Sequence, residues 1–190
     1  MQTRALVVSL FFVLPGSLLA QDTPFRAGQW GAQFTGGSFS SLGVVKFRSA
    51  TRALVLDVHV GGVHQEHFIG DSLDVLGSNA SINVRVGRRS YRSVADRVVA
   101  QHTFGVAAGF DHSVSTSPGF GTFANNGWSA GPFAELGAAY LITPHLAVGA
   151  TGGVSVTYGR NSGRGSTGVK THTWFLGGNT LISFSLTLFF

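Results

Sequence analysis

The chain has 190 residues, of which only 11% are charged, with 13 Lys and Arg against 8 Asp and Glu, 27 glycines and no cysteine. A water-facing surface usually carries roughly 25–35% charged residues, so a large part of the folded surface must face something else. The missing cysteine excludes a disulfide framework and a lipid-modified cysteine anchor, and the +5 charge forms no basic run with interleaved aromatics, which argues against nucleic acid as a partner.

Met1-Gln2-Thr3-Arg4 is a short positive segment, Ala5 to Leu14 is an apolar run broken by Ser9, and Pro15 to Ala20 leads to a small residue before Gln21. This order predicts a secretory signal peptide over 1–20, leaving one domain over 21–190. The apolar run is far short of the ~20 residues a spanning helix needs.

Beyond it, alternation with period two dominates. The first strand is expected over Gln29–Thr35, with Trp30, Ala32 and Phe34 on one face, and the second over Leu42–Arg48, with Val45 and Phe47 opposite Lys46 and Arg48. In the third, Leu54, Leu56, Val58 and Val60 alternate with Val55, Asp57, His59 and Gly61. Residues 62–80 are polar and read as a long loop. The fourth strand, Ser81–Tyr91, sets Ile82, Val84 and Val86 against Asn83, Arg85 and Gly87, and the fifth is expected over Arg97–Phe110. A second long loop follows at 111–127, then strands over Trp128–Ile142 and Leu146–Tyr158 joined by the tight Thr143-Pro144-His145 turn. A third long loop at 159–170 precedes a last strand over 171–190.

The links after the second, fourth and sixth strands are tight, whereas those after the third, fifth and seventh are long. Together with an even strand count, this predicts an all-β, eight-stranded, antiparallel up-and-down transmembrane barrel whose tight turns and termini share the periplasmic side. In the last strand Ile182, Phe184, Leu186, Leu188 and Phe190 share one face, and Ser183, Ser185 and Thr187 the other, with Phe189 the one large apolar residue among them. As an open edge in water such a strand invites aggregation; as the closing strand of a barrel in lipid it does not. A soluble lipocalin- or avidin-like barrel is the alternative. It fits poorly, because the faces opposite the apolar ones are rich in Gly, Ala, Ser, Thr, Asn and Gln rather than charge.

With its terminal Phe190, its aromatic-Gly strands such as Trp30-Gly31-Ala32-Gln33-Phe34, and the basic-aromatic strand end Arg88-Arg89-Ser90-Tyr91-Arg92, the chain resembles the small eight-stranded outer-membrane barrels of the OmpA-transmembrane and OmpX-like group. The resemblance implies a bacterial outer-membrane location. It also implies that Phe184, Leu186, Leu188 and Phe190 carry the signal read by the outer-membrane assembly machinery. No peptidoglycan-binding domain follows the barrel, so a tether to the cell wall is not implied.

Facing inward on this reading are Lys46, Asp57, His59, Arg85 and Glu135, with Gln33, Asn83, Gln101 and Thr151. An eight-stranded barrel is just wide enough to be filled by its own side chains, so these charges are expected to neutralise one another and plug the lumen. The rival reading is a narrow pore gated by that network. A lipid A-modifying enzyme would need a base and a hydroxyl on one outward face. His112 and Ser113 are neighbours and Val114 holds the position two residues on, so no catalysis is expected. His64, His67, Asp71 and Asp74 are the one metal-like group, but on a loop they lack fixed geometry; no metal or cofactor is implied. Trp30, Trp128, Tyr140, Tyr158 and Trp174 lie near strand ends, where amphipathic rings meet lipid headgroups. Arg48, Arg52, Arg88, Arg89, Arg92 and Arg97 flank the periplasmic turns, and Arg160, Arg164 and Lys170 could meet lipopolysaccharide outside. The expected partners are thus membrane lipids, lipopolysaccharide and the assembly machinery, with the barrel a monomer in a structural or loop-mediated, adhesion-like role.

Overall fold

The computed structural model describes residues 24–37, 40–69, 72–117, 119 and 121–190; the expected signal peptide lies outside them. Eight antiparallel strands close into a barrel in chain order: β1 (Trp30–Gly37), β2 (Ser41–Ser49), β3 (Arg52–Ile69), β4 (Ser72–Ala95), β5 (Val98–Ser117), β6 (Gly121–Thr143), β7 (Leu146–Arg164) and β8 (Lys170–Phe189). Closure comes from pairing β8 with β1, Phe34 opposite Leu186 and Gly31 opposite Phe189. No strand ladder begins or ends the sheet there, which is how a barrel disposes of its edges.

The register fixes the shape. From Phe34 the cross-strand partners run through Leu42, Val58, Val84, Ala108, Ala130 and Tyr158 to Leu176, yet Phe34 itself pairs with Leu186, ten residues further along β8. A shear of that size in eight strands tilts them by roughly 40–45° and leaves a narrow interior.

Tight turns follow β2, β4 and β6. Arg97, in the β4–β5 turn, takes the left-handed conformation at φ 61°. The segments 62–80, 111–127 and 159–170, expected as loops, are instead mostly strand: the β3–β4 ladder runs through Gly61 opposite Ser81 as far as Ile69 opposite Ser72, and β5–β6 runs to Ser117 opposite Gly121. Backbone pairing continues there although polar residues and glycines outnumber apolar ones along the described parts of these segments, as in a hairpin that stands in water. Only β1 and β2 stay short, at 8 and 9 residues. Their ladders to the neighbours stop at Gly37 opposite Ser183 and Leu42 opposite Val58, while β3 and β8 continue.

Outward positions carry the apolar residues. Leu42, Leu56, Val60, Val86, Phe104, Val106, Leu136, Val154, Ile182, Phe184, Leu186 and Leu188 are all exposed. No protein packs against them. The buried apolar cluster lies inside the barrel, at the end with the termini and tight turns: Phe25, Val45, Phe47, Ala53, Val55, Tyr91, Val99, Leu141, Ala147 and Phe189.

Candidate functional site

The interior is layered along the barrel axis. At the terminal end Phe25, from the segment before β1, enters the lumen and is 3% exposed. Its ring stacks on Phe47 with centroids 4.4 Å apart, and meets Tyr91 at 4.8 Å and Phe189 at 5.1 Å. These four aromatics form a dry plug.

The next layer is polar and buried. Arg89 Nε donates to Thr103 Oγ1 at 2.9 Å and Nη1 to Gln33 Oε1 at 2.6 Å. Gln33 Nε2 in turn donates to Thr35 Oγ1 at 3.1 Å. Above it Arg85 forms an ion pair with Glu135, and its guanidinium lies 4.2 Å from the centre of the Phe133 ring. Asp57 is buried beside this pair without an ion pair of its own among the described residues. Inward glycines make room for these groups: the Asp57 carboxylate leans over Gly43 and the Glu135 side chain over Gly153, so a methyl group at either glycine would collide with the acid. Towards the loops the lumen opens into a cavity of about 190 Å³ lined by Asp57, His59, Asn83, Arg85, Ser155 and Asn179, among others. His59 Nδ1 is bonded to the Ser40 carbonyl.

The structure thus brings Asp57, His59, Arg85 and Glu135 to the lumen, but not Lys46. Gly31 pairs with Val45, so Val45 and Phe47 point inward and Lys46 outward, where its Nζ lies 4.4 Å from the centre of the Trp30 ring. Alternation gives two faces without saying which is inside. The rule that apolar faces point to lipid fails in β2, because at this end the lumen is itself apolar. Arg89, expected beside a periplasmic turn, is the lumenal cation in its place, 4% exposed. Phe25 stands outside any alternating segment; the signal for it is Phe189, a large apolar residue on an inward face that needs partners.

On the outer face the five aromatics fall into two groups. Trp30 and Tyr140 lie at the terminal end. Trp128, Tyr158 and Trp174 cluster towards the loops, with Tyr158 stacked on Trp174 at 5.5 Å and Trp128 6.1 Å from Trp174. Tyr140 and Trp128 are twelve positions apart on β6, about 40 Å of strand at ~3.3 Å per residue. At the tilt set by the shear that is roughly 28–30 Å along the axis. Between the two groups the outward face is apolar save for Arg88, Ser90 and His102 on its terminal half and Thr180 on β8. An apolar belt of roughly 25 Å between aromatic girdles is the layout of barrels that cross an outer membrane.

A solved structure agrees. The outer membrane protein OprG of Pseudomonas aeruginosa superposes with a TM-score of 0.59 over 90% of this chain and 99% of its own, at 11% identity. The fold is that of a small outer-membrane β-barrel. A major outer membrane protein of Thermus thermophilus gives a TM-score of 0.48 at 15% identity, over 85% of this chain and 99% of its own. No protein-family model and no curated protein matches the chain.

The other candidates are not assembled. His112 Nδ1 is bonded to Asn126 Oδ1 at 2.7 Å, on the outward face and across the β5–β6 ladder, and not to a serine. His64 pairs with Glu66 at 3.5 Å, and no group of three metal-ligand side chains is gathered among the described residues; the side chains of His67, Asp71 and Asp74 lie outside them. Arg160 stands in one cross-strand row between Trp128 and Trp174, its guanidinium 5.1 Å from the latter ring. Arg164 and Lys170 face each other two positions further out from the Ser162–His172 pair.

Proposed function

We propose that the protein is an integral, monomeric barrel of a bacterial outer membrane, with its termini on the periplasmic side, a plugged lumen and a non-catalytic role in wall structure and loop-mediated contact. The apolar belt between the two aromatic girdles carries the membrane reading. The Arg89 layer and the aromatic plug, stacked one on the other, support a lumen that does not conduct. The hairpins β3–β4, β5–β6 and β7–β8 stand beyond the belt and offer the contact surface. Arg160, Arg164 and Lys170, above the girdle on β7 and β8, suit the phosphates of lipopolysaccharide.

Phe184, Leu186 and Leu188 form the lipid-facing row of β8, which Phe190 just past its end continues, and the four serve as the segment recognised during assembly. Two measurements test this reading. The full protein should fractionate with outer membranes and migrate differently on gels with and without heating. Deletion of Phe190 should lower the membrane-inserted fraction several-fold, and normal insertion without it would sink the assembly role. Bilayer recordings of the unaltered protein should show no steady channel.

A further inference from the structure

At the terminal end the outer face is two-sided. Across β6 to β8 the outward residues there include Ala138, Tyr140, Val148, Leu186 and Leu188. Across β2 to β4 they include Lys46, Arg48, Arg52, Arg88 and Arg92, with Leu54 and Ser90 between the cations. Among the described residues the sole acidic side chain at that end is Asp96, in the β4–β5 turn. Arg52 stands directly opposite Ser90, and Arg88, two residues from Ser90 on the same face, stands opposite Leu54 and Phe104. Arg52, Arg88, Ser90 and Phe104, with Ala53 and Arg89, line a hollow of about 240 Å³.

Neither Arg52 nor Arg88 has a carboxylate partner among the described residues. Like charges set diagonally on adjacent strands are still within reach of each other when the side chains are long, and repel; the cost rises towards an apolar belt. An anion held between them removes it. A phosphodiester matches two guanidinium forks in geometry, the Ser90 hydroxyl can donate to the same oxygens, and exposed Phe104 extends the hollow into the belt where an acyl chain would run. Free phosphate would make no use of that ring.

We propose that this hollow binds an anionic glycerophospholipid of the periplasmic leaflet, its phosphodiester between Arg52 and Arg88 and an acyl chain along Phe104. The proposal rests on the membrane reading above and gives the β2–β4 side a lipid partner that the β6–β8 side does not select.

Native mass spectrometry of the membrane-extracted protein tests it, with phosphatidylglycerol, phosphatidylcholine, lipid A and inorganic phosphate as separate probes. The protein should retain phosphatidylglycerol over phosphatidylcholine by roughly tenfold. The double variant Arg52→Gln/Arg88→Gln should lose that preference, whereas Arg92→Gln, on the same face outside the hollow, should keep it. Ser90→Phe fills the hollow with both charges in place and should lose it too. An undiminished preference for phosphatidylglycerol in the double variant, a preference for lipid A, or displacement of the lipid by equimolar inorganic phosphate would each overturn the site. Heat-modifiable migration separates the two failures: a folded, membrane-inserted protein without lipid preference refutes the hollow alone, whereas a protein that never partitions into membranes refutes the reading beneath it.

Discussion

The two ends of the lumen are built on opposite principles. At the terminal end Phe25, Phe47, Tyr91 and Phe189 fill the bore with rings and exclude water. Towards the loops Asn83, Ser155, Thr157 and Asn179, together with Phe133 and Leu181, line an unfilled cavity. At the terminal end the lumen is apolar, whereas the outer face of β2 to β4 carries Lys46, Arg48, Arg52, Arg88 and Arg92, so on that side the usual contrast between lipid side and lumen side reverses. The buried charges sit at the boundary between the two regimes, where Arg85 and Glu135 can pair away from bulk water.

That contrast can be broken most sharply at the boundary. Arg85→Ala leaves Glu135 buried and unpaired, and should lower unfolding stability by about 3–5 kcal/mol, read from urea unfolding in micelles by tryptophan fluorescence. An unchanged midpoint would mean that water already reaches Glu135. Phe47→Ala at the plug should cost about 3 kcal/mol, at the low end for a buried aromatic because Phe25 can sag into the space. It should leave the bilayer silent, since the Arg89 layer still closes the bore. Steady channels should appear when Phe47→Ala is combined with Arg89→Ala, and channels in Phe47→Ala alone would show that the plug is the only seal. The smallest effect belongs to the loop side: Thr157→Leu adds volume to a cavity with room for it and should shift stability by less than about 1 kcal/mol. A larger loss there would mean that the cavity is structured as tightly as the plug.

Much of this fold is legible in the sequence because alternation and turn spacing are local. The tight turns near Ala50, Asp96 and Pro144 set the strand count, and Ser183, Ser185 and Thr187 mark the inward face of β8. What escapes is relational. Lys46 and Phe47 exchange faces only once the pairing of Gly31 with Val45 is known. Arg89 reads as one more cation in Arg88-Arg89-Ser90-Tyr91-Arg92, and only the opposed Thr103 and the distant Gln33 make it a lumenal residue. The hairpins beyond the belt look like loops because hydropathy fades where lipid ends, whereas backbone pairing does not. Of the candidate site, Asp57, Arg85 and Glu135 are visible as charges stranded in apolar strands; the plug that shares the bore with them is not.

The short β1–β2 hairpin has a consequence for the rest of the wall. Closure removes sheet edges only as high as that hairpin reaches. Above it, β3 from Gly61 to Glu66 and β8 from Thr171 to Asn179 each have one partner strand, so the molecule that began as an edgeless tube ends as a curved six-stranded ribbon with two rims. Rims of that kind recruit stray strands unless something discourages them. Here His64, Gln65 and Glu66 on one rim, and Lys170, Thr171 and His172 on the other, set polar and charged side chains along the exposed backbone and keep neighbouring barrels from zipping together through their upper halves.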